Sequence, residues 1–347
     1  MSVFPQPFPA SAQSPGPRIV AALTARERQL FFGDSAAGGL ADWHWLGDDD
    51  LAAPDWSAQV ARLQPDVLVT GWSTPALSDD WIRRNDCRLR LVCHVTGSVR
   101  RLVPRVFIER GGIVTNWGGT VSSQVAEHGL LLALAALRHA ARWRPFIART
   151  ASVRQIEELG TKTLFHRRVG LHGFGSVARA LLPLLHPFGV EVSAYSAGVP
   201  PELMRTAGVR PAASLEELFS GSEVLFECEA LTAATEQSVS AGVLARLPDD
   251  AAFVNIGRGR IVDESALLGE AARGRLRVAL DVVAREPLTF GSPFVNLPDV
   301  ILSPHIAGPT ADRYRQCGSF ALANLAAFLR GEPPPAQISL ASYDRAT

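Results

Sequence analysis

Three side chains of complementary chemistry follow three short apolar runs. Residues 252–256 lead into Gly257-Arg258-Gly259, residues 278–282 into Arg285-Glu286-Pro287, and residues 300–302 into Ser303-Pro304-His305. Taken singly, each has an ordinary reading: a solvated turn arginine, a loop acid, a capping or core histidine. Taken together at the carboxyl ends of strands in one sheet, where ligands of open α/β sheets collect, they suit one reaction. A carboxylate hydrogen-bonded to an imidazole fixes its tautomer and stabilises the imidazolium, keeping a proton available near neutral pH. A guanidinium grips a carboxylate and a carbonyl together and polarises the carbonyl. With a hydride donor alongside, such a set reduces a 2-oxo acid to a 2-hydroxy acid. The cluster contains no thiolate and no nucleophile elbow, which argues against acyl transfer.

The place for a hydride donor lies upstream. Gly173, Gly175 and Ala178 fit the spacing G-x-G-x-x-[GA] between an apolar run and a helix-forming stretch. The first glycine allows the tight turn and the second lets backbone N–H groups approach a pyrophosphate. The small third residue lets the helix lie on its strand, with the phosphates at the helix's positive end. Contacts to a dinucleotide are expected from Gly173, Phe174, Gly175, Ser176 and Val177. Such a turn also serves S-adenosyl methionine, or no ligand at all. The next strand, residues 190–196, ends at Ser196, where an NAD-selecting site places an acid on the ribose 2′-hydroxyl. NAD and NADP both remain open, because no arginine follows at once to grip a 2′-phosphate; Arg205 and Arg210 read as surface residues.

The elements that must carry these groups alternate along the chain. Strand-like runs at 18–23, 67–70 and 89–95 are separated by amphipathic stretches at 57–63 and 77–84, an order that implies a parallel sheet with helices on its faces. Asp48-Asp49-Asp50 reads as a solvated loop rather than a metal site. Residues 113–116 lead into a helical run at 122–143, apolar around most of its circumference and expected to be buried between domains or subunits. An irregular arm from Arg144 leads on to the glycine turn. Glu127 and His128 in the long run read as structural. Further strands are expected at 224–228, 252–256, 278–282 and 300–302, with a closing helix at 321–329. With 347 residues, about two domains are expected. Hydrophobic residues make up 47% and charged residues 20%, so a sizeable core is available and wholesale disorder is unfavourable. Lys and Arg (34) balance Asp and Glu (34), and no basic cluster stands out, so a nucleic-acid partner has no electrostatic footprint. The longest apolar run, residues 130–137, is too short to cross a bilayer. The four scattered cysteines lack metal spacing, so no metal is expected and reduced thiols in a cytoplasmic protein are the simplest reading. The single lysine, Lys162, completes no phosphate loop.

The stretches 255–263, 279–282 with Glu286-Pro287, and 303–308 resemble the D-isomer-specific 2-hydroxyacid dehydrogenases. The likeness is firm from Gly170 through Thr310 and looser upstream through 125–127 and 96–98. It implies Arg258 as the substrate-binding arginine, His305 as acid/base and Glu286 as its partner; the glutamate speaks against the formate dehydrogenase branch. It further implies that Asp281 contacts the nicotinamide carboxamide and that Cys228 and Ile256 line the cofactor. Backbone N–H groups at Gly97 and Ser98 would hold the substrate carboxylate. The implied architecture is α/β, two doubly wound parallel-sheet domains, with a Rossmann cofactor domain inserted into a flavodoxin-like substrate domain. Residues 1–117 and 309–347 would form the substrate domain, with 1–16 a flexible tail, and 118–308 the cofactor domain. A homodimer through the cofactor domain and NAD or NADP as cofactor follow from the same likeness. Ser196 in place of the usual acid, Cys228 of the frequent histidine and Ala230 of the frequent proline are departures. An alternative stays open: a dinucleotide-sensing regulatory or corepressor-like binding protein on the same scaffold.

Overall fold

This computed structural model describes residues 16–33, 42–149 and 157–345. The chain divides into two compact units, Met1–Val121 with Ala311–Thr347, and Ser122–Thr310. The tail expected at residues 1–16 lies, except for Gly16, outside the described residues.

The first unit is built on five parallel strands: β1 (Ile19–Ala22), β2 (His44–Leu46), β3 (Val67–Thr70), β4 (Leu91–His94) and β5 (Ile113–Thr115). Their order is β2-β1-β3-β4-β5, the flavodoxin-like arrangement. β3 and β4 are buried at every residue, which is why they read as unbroken apolar runs rather than as alternation. The chain's return supplies the helix Tyr314–Leu329, longer than the closing helix expected at 321–329. Gly318 on that helix lies against the backbone of Phe31, where a Cβ would meet the Phe31 carbonyl oxygen at 2.0 Å. Past the proline-rich turn, Gln337 bridges to Thr115 and the helix Leu340–Asp344 follows. The three aspartates expected in a loop instead open the helix Asp48–Ala52. Asp50 accepts from the Gly47 N–H at 2.9 Å, and Asp48 from the Ala25 N–H at 3.0 Å. Acids are favourable at that end of a helix.

The second unit carries seven parallel strands: β6 (Arg168–His172), β7 (Glu191–Tyr195), β8 (Arg210–Pro211), β9 (Val224–Glu227), β10 (Ala252–Asn255), β11 (Arg277–Leu280) and β12 (Ile301–Leu302). The order β12-β11-β10-β9-β6-β7-β8 is doubly wound, reversing direction at β6. Two apolar cores cover its faces. One packs the helices Ser122–Leu137 and Ser176–Leu185 on the sheet, with Leu171, Leu181, Leu185 and Val254 fully buried; the other centres on Phe219, Phe253 and Phe294. The helical run expected to continue to Trp143 breaks after Leu137. His139 takes a left-handed conformation (φ 49°), and a second helix, Ala140–Arg149, covers residues expected to be irregular. The break leaves the Arg138 carbonyl without a helical partner, and the Trp143 indole donates to it at 2.8 Å. Among the described residues no helix is long and apolar enough to cross a membrane.

Candidate active site

In the second unit the ends of β10, β11 and β12 lie side by side, so their exit loops are neighbours. After β10 the chain turns at Gly257, held by its N–H donating to the Asn255 side-chain oxygen at 3.0 Å; the Asn255 amide donates to the Arg258 carbonyl at 3.3 Å. Arg258 is extended (φ −143°, ψ 137°), and its guanidinium donates to the Gly257 carbonyl at 2.7 Å. Gly259 fixes the next step by close approach: a Cβ there would meet the Val283 carbonyl carbon at 1.9 Å and the Ala284 nitrogen at 2.3 Å. The arginine turn therefore rests on the backbone of the loop that carries Glu286. Burial lowers the proton affinity of Arg258 and the charge of Glu286 opposes it, but a guanidinium stays charged at any working pH.

His305 Nδ1 lies 2.6 Å from Glu286 Oε2. The imidazole is about half exposed, so its other ring nitrogen is accessible. The hydrogen bond that His305 donates to Glu286 raises the His305 pKa above the ordinary histidine value; burial works against this, the Glu286 charge adds to it, Arg258 opposes and Asp281 assists. For Glu286, burial favours the neutral acid, yet the hydrogen bond and charge of His305 prevail and hold its pKa below the usual value. The two shifts agree in direction, each favouring the charged form of its group. His305 also adopts a left-handed backbone (φ 54°), a conformation that costs a non-glycine residue about 1 kcal/mol.

Asp281 holds the histidine in that conformation. Its main-chain carbonyl accepts from the His305 N–H at 2.9 Å. Its carboxylate accepts from the Ile306 and Ala307 N–H groups at 2.9 and 3.0 Å and from the Ser303 hydroxyl at 2.6 Å. His128 Nε2 lies 2.9 Å from that hydroxyl. Burial pushes the Asp281 pKa up, but His128, whose Nε2 also lies 3.5 Å from the carboxylate, together with Ser303 and the Ile306 and Ala307 N–H groups, brings it below the ordinary value. The carboxylate that the resemblance assigned to a carboxamide thus organises the 303–307 loop. His128, read as structural from sequence, belongs to this network.

A dinucleotide implied by the glycine turn fits the residues present. Gly173 has φ +94°, and a Cβ there would meet the backbone of Cys228 and Glu229 at 2.6–2.7 Å. Gly175 is the reverse case, with open space wherever its Cβ would point. It precedes the helix Ser176–Leu185, and no side chain caps that helix's start, so a cradle remains for an anion at its positive end. Ala178 is fully buried against the sheet. Phe174 and Ile256 are buried near this edge, while Ser176 is exposed and Val177 half-buried. Cys228 follows β9, and burial pushes its thiol well above the ordinary range, followed by the charges of Glu227 and Glu229, so it stays a neutral thiol. Ser196, at the end of β7, donates to Glu229 at 2.6 Å. Arg205 pairs with Glu202 at 3.0 Å and Arg210 with Glu217 at 2.8 Å, both on the surface.

Gly97 and Ser98 belong to the first unit, in the loop after β4. The Asn116 amide donates to the Gly97 carbonyl at 2.7 Å, and the Trp117 ring sits where a Gly97 Cβ would point. Sequence reasoning missed Ser303 and the acids Glu227 and Glu229. The signal for the last two was present, in a carboxylate ending an otherwise apolar strand and a second one two residues beyond it.

Fold and site together define a dinucleotide-binding α/β oxidoreductase, and the relatives narrow that class. Residues 130–307 match the family model described as D-isomer specific 2-hydroxyacid dehydrogenase, NAD binding domain. A glyoxylate reductase of Pyrococcus furiosus is 28% identical over 282 residues, covering 79% of this chain and 82% of that protein. A hydroxypyruvate reductase of Thermotoga maritima is 28% identical, covering 73% and 81%. The solved structure of a 2-hydroxyacid dehydrogenase from Ketogulonicigenium vulgare superposes with a TM-score of 0.75 at 25% identity, covering 93% and 98%. The chain belongs to the D-isomer specific 2-hydroxyacid dehydrogenase family. It is an oxidoreductase acting on a CH–OH group with a nicotinamide dinucleotide.

Proposed function

We propose that this protein interconverts a 2-oxo acid and a D-2-hydroxy acid, with His305 as acid/base, Glu286 as its partner and Arg258 on the substrate carboxylate. The observation that carries the reading is the 2.6 Å contact between His305 and Glu286 beside the arginine turn. Residues 173–177 with Cys228, Ile256 and Asp281 would hold a nicotinamide dinucleotide, which would supply or accept the hydride. The chain's own residues do the rest. His305 donates the proton that the carbonyl oxygen requires in reduction and takes it back in oxidation. Glu286 keeps the imidazole oriented and favours its charged form. Arg258 fixes the acid and draws charge toward the carbonyl oxygen. The first unit serves as substrate domain, with the Gly97 and Ser98 N–H groups contributing to carboxylate binding. Exposed Leu131, Trp143 and Ile147 support a homodimer through the second unit, and four free cysteines fit a reducing compartment.

The names of the relatives direct the first assay toward small substrates. Incubated with NADH or NADPH, the protein consumes the reduced nucleotide when glyoxylate, hydroxypyruvate or a longer 2-oxo acid is added. It gives no such signal with the corresponding simple carboxylic acids. Nucleotide binding with no turnover on any 2-oxo acid would replace the catalytic reading with a sensing role.

A further inference from the structure

The end of β7 lacks the acid that commonly receives the adenosine ribose, yet a carboxylate occupies its vicinity. Glu229 follows β9, on the opposite side of β6 from β7. The Ser196 hydroxyl donates to Glu229 Oε2 at 2.6 Å, and the Ala230 N–H to Oε1 at 2.9 Å. The Glu229 main chain lies directly on the phosphate turn, 2.6 Å from where a Gly173 Cβ would be. The geometry points to Glu229 as the residue that selects the nucleotide, accepting a ribose 2′-hydroxyl and repelling a 2′-phosphate, so that the enzyme uses NAD in preference to NADP. The inference rests on the second unit being the cofactor domain.

The acid is anchored from below. Glu227, fully buried at the end of β9, accepts the Glu229 N–H at 2.9 Å through Oε1, and its Oε2 lies 2.5 Å from His172 Nδ1. His172, the last residue of β6, is itself buried. Burial would make that imidazole neutral, but the charge and hydrogen bond of Glu227, with Glu229 beyond, raise its pKa. This hydrogen-bonded pair at the foot of the glycine turn thus fixes the backbone from which Glu229 reaches Ser196. The carboxylate has accepted one donor on each oxygen, and each oxygen retains a further lone pair for a ribose hydroxyl. A phosphate dianion at the same place meets like charge, and the arginines nearest in sequence, Arg205 and Arg210, are committed to other glutamates.

The test is a fluorescence titration of NADH and NADPH against wild type, Glu229→Gln and Ser196→Ala, with melting curves to verify folding. Wild type binds NADH more tightly. Glu229→Gln reduces the ratio of the two dissociation constants by about tenfold or more, while Ser196→Ala, which keeps the charge, retains the preference for NADH. On wild type alone, added salt narrows the ratio, because screening weakens repulsion. A wild-type preference for NADPH, or an unchanged ratio in folded Glu229→Gln, overturns the assignment of Glu229 and leaves the cofactor domain standing. Binding of neither nucleotide overturns both.

Discussion

His305→Gln reduces 2-oxo acids at least about a hundredfold more slowly than wild type, while its affinity for NADH is unchanged. The amide preserves a polar group of similar reach, and Glu286 retains a donor to face. What disappears is a proton that can be given up at neutral pH, and loss of a general acid costs about 10²–10⁴ in rate. The loss falls on kcat, because in the proposed role the histidine meets the carbonyl oxygen and not the phosphates. Asp281 and its contacts to Ile306 and Ala307 persist without the imidazole, so the loop keeps its shape. Stopped-flow or steady-state nucleotide oxidation measures the effect. A variant within about threefold of wild type in kcat would assign the proton to another group.

Arg258→Gln lowers kcat/KM about a thousandfold, with KM carrying much of the change. Truncating one partner of a buried, charge-assisted pair costs about 2–5 kcal/mol, which spans this value. The turn itself survives, because Asn255 binds its backbone and Gly259 keeps its seat on the Val283 main chain. Arg258→Lys restores charge without the planar fork and recovers only part of the loss. Uncharged carbonyl compounds, lacking the carboxylate, lose less between wild type and variant than 2-oxo acids do, because for them only the pull of Arg258 on the carbonyl oxygen is removed. If both variants hold kcat/KM for 2-oxo acids within about tenfold of wild type, the acid is bound elsewhere.

Much of this architecture is legible in the residues themselves. Parallel strands covered on both faces are written as short continuous apolar runs, so β3 and β10 can be located from valine, leucine and phenylalanine alone. The glycine turn is legible because a left-handed step against the Cys228 and Glu229 backbone requires glycine at 173, while glycine at 175 leaves the space before the helix open for a ligand. β2 and β8 escape, being three and two residues long, the first carrying an exposed histidine and the second a proline. The split of the long helical run also escapes, since nothing in residues 122–143 marks His139 as left-handed. Side-chain partnerships between strands are the least legible. Ser196 and Glu229 stand 33 residues apart, and a reading along the chain sees only a missing acid. Asp281 is similar: its position suggested a ligand contact, whereas its loop bonds become visible only when β11 and β12 are side by side.

The pH dependence of kcat/KM for 2-oxo acid reduction in wild type and Glu286→Gln bears most directly on the pairing of His305 with Glu286. Reduction requires the imidazolium, so the rate falls as pH rises through the His305 pKa. Glu286 raises that pKa, by its hydrogen bond and then by its charge, so removing the charge moves the alkaline limb to lower pH. A limb that stays at the wild-type pH in a folded, nucleotide-binding Glu286→Gln protein would contradict the pairing as the source of the catalytic proton.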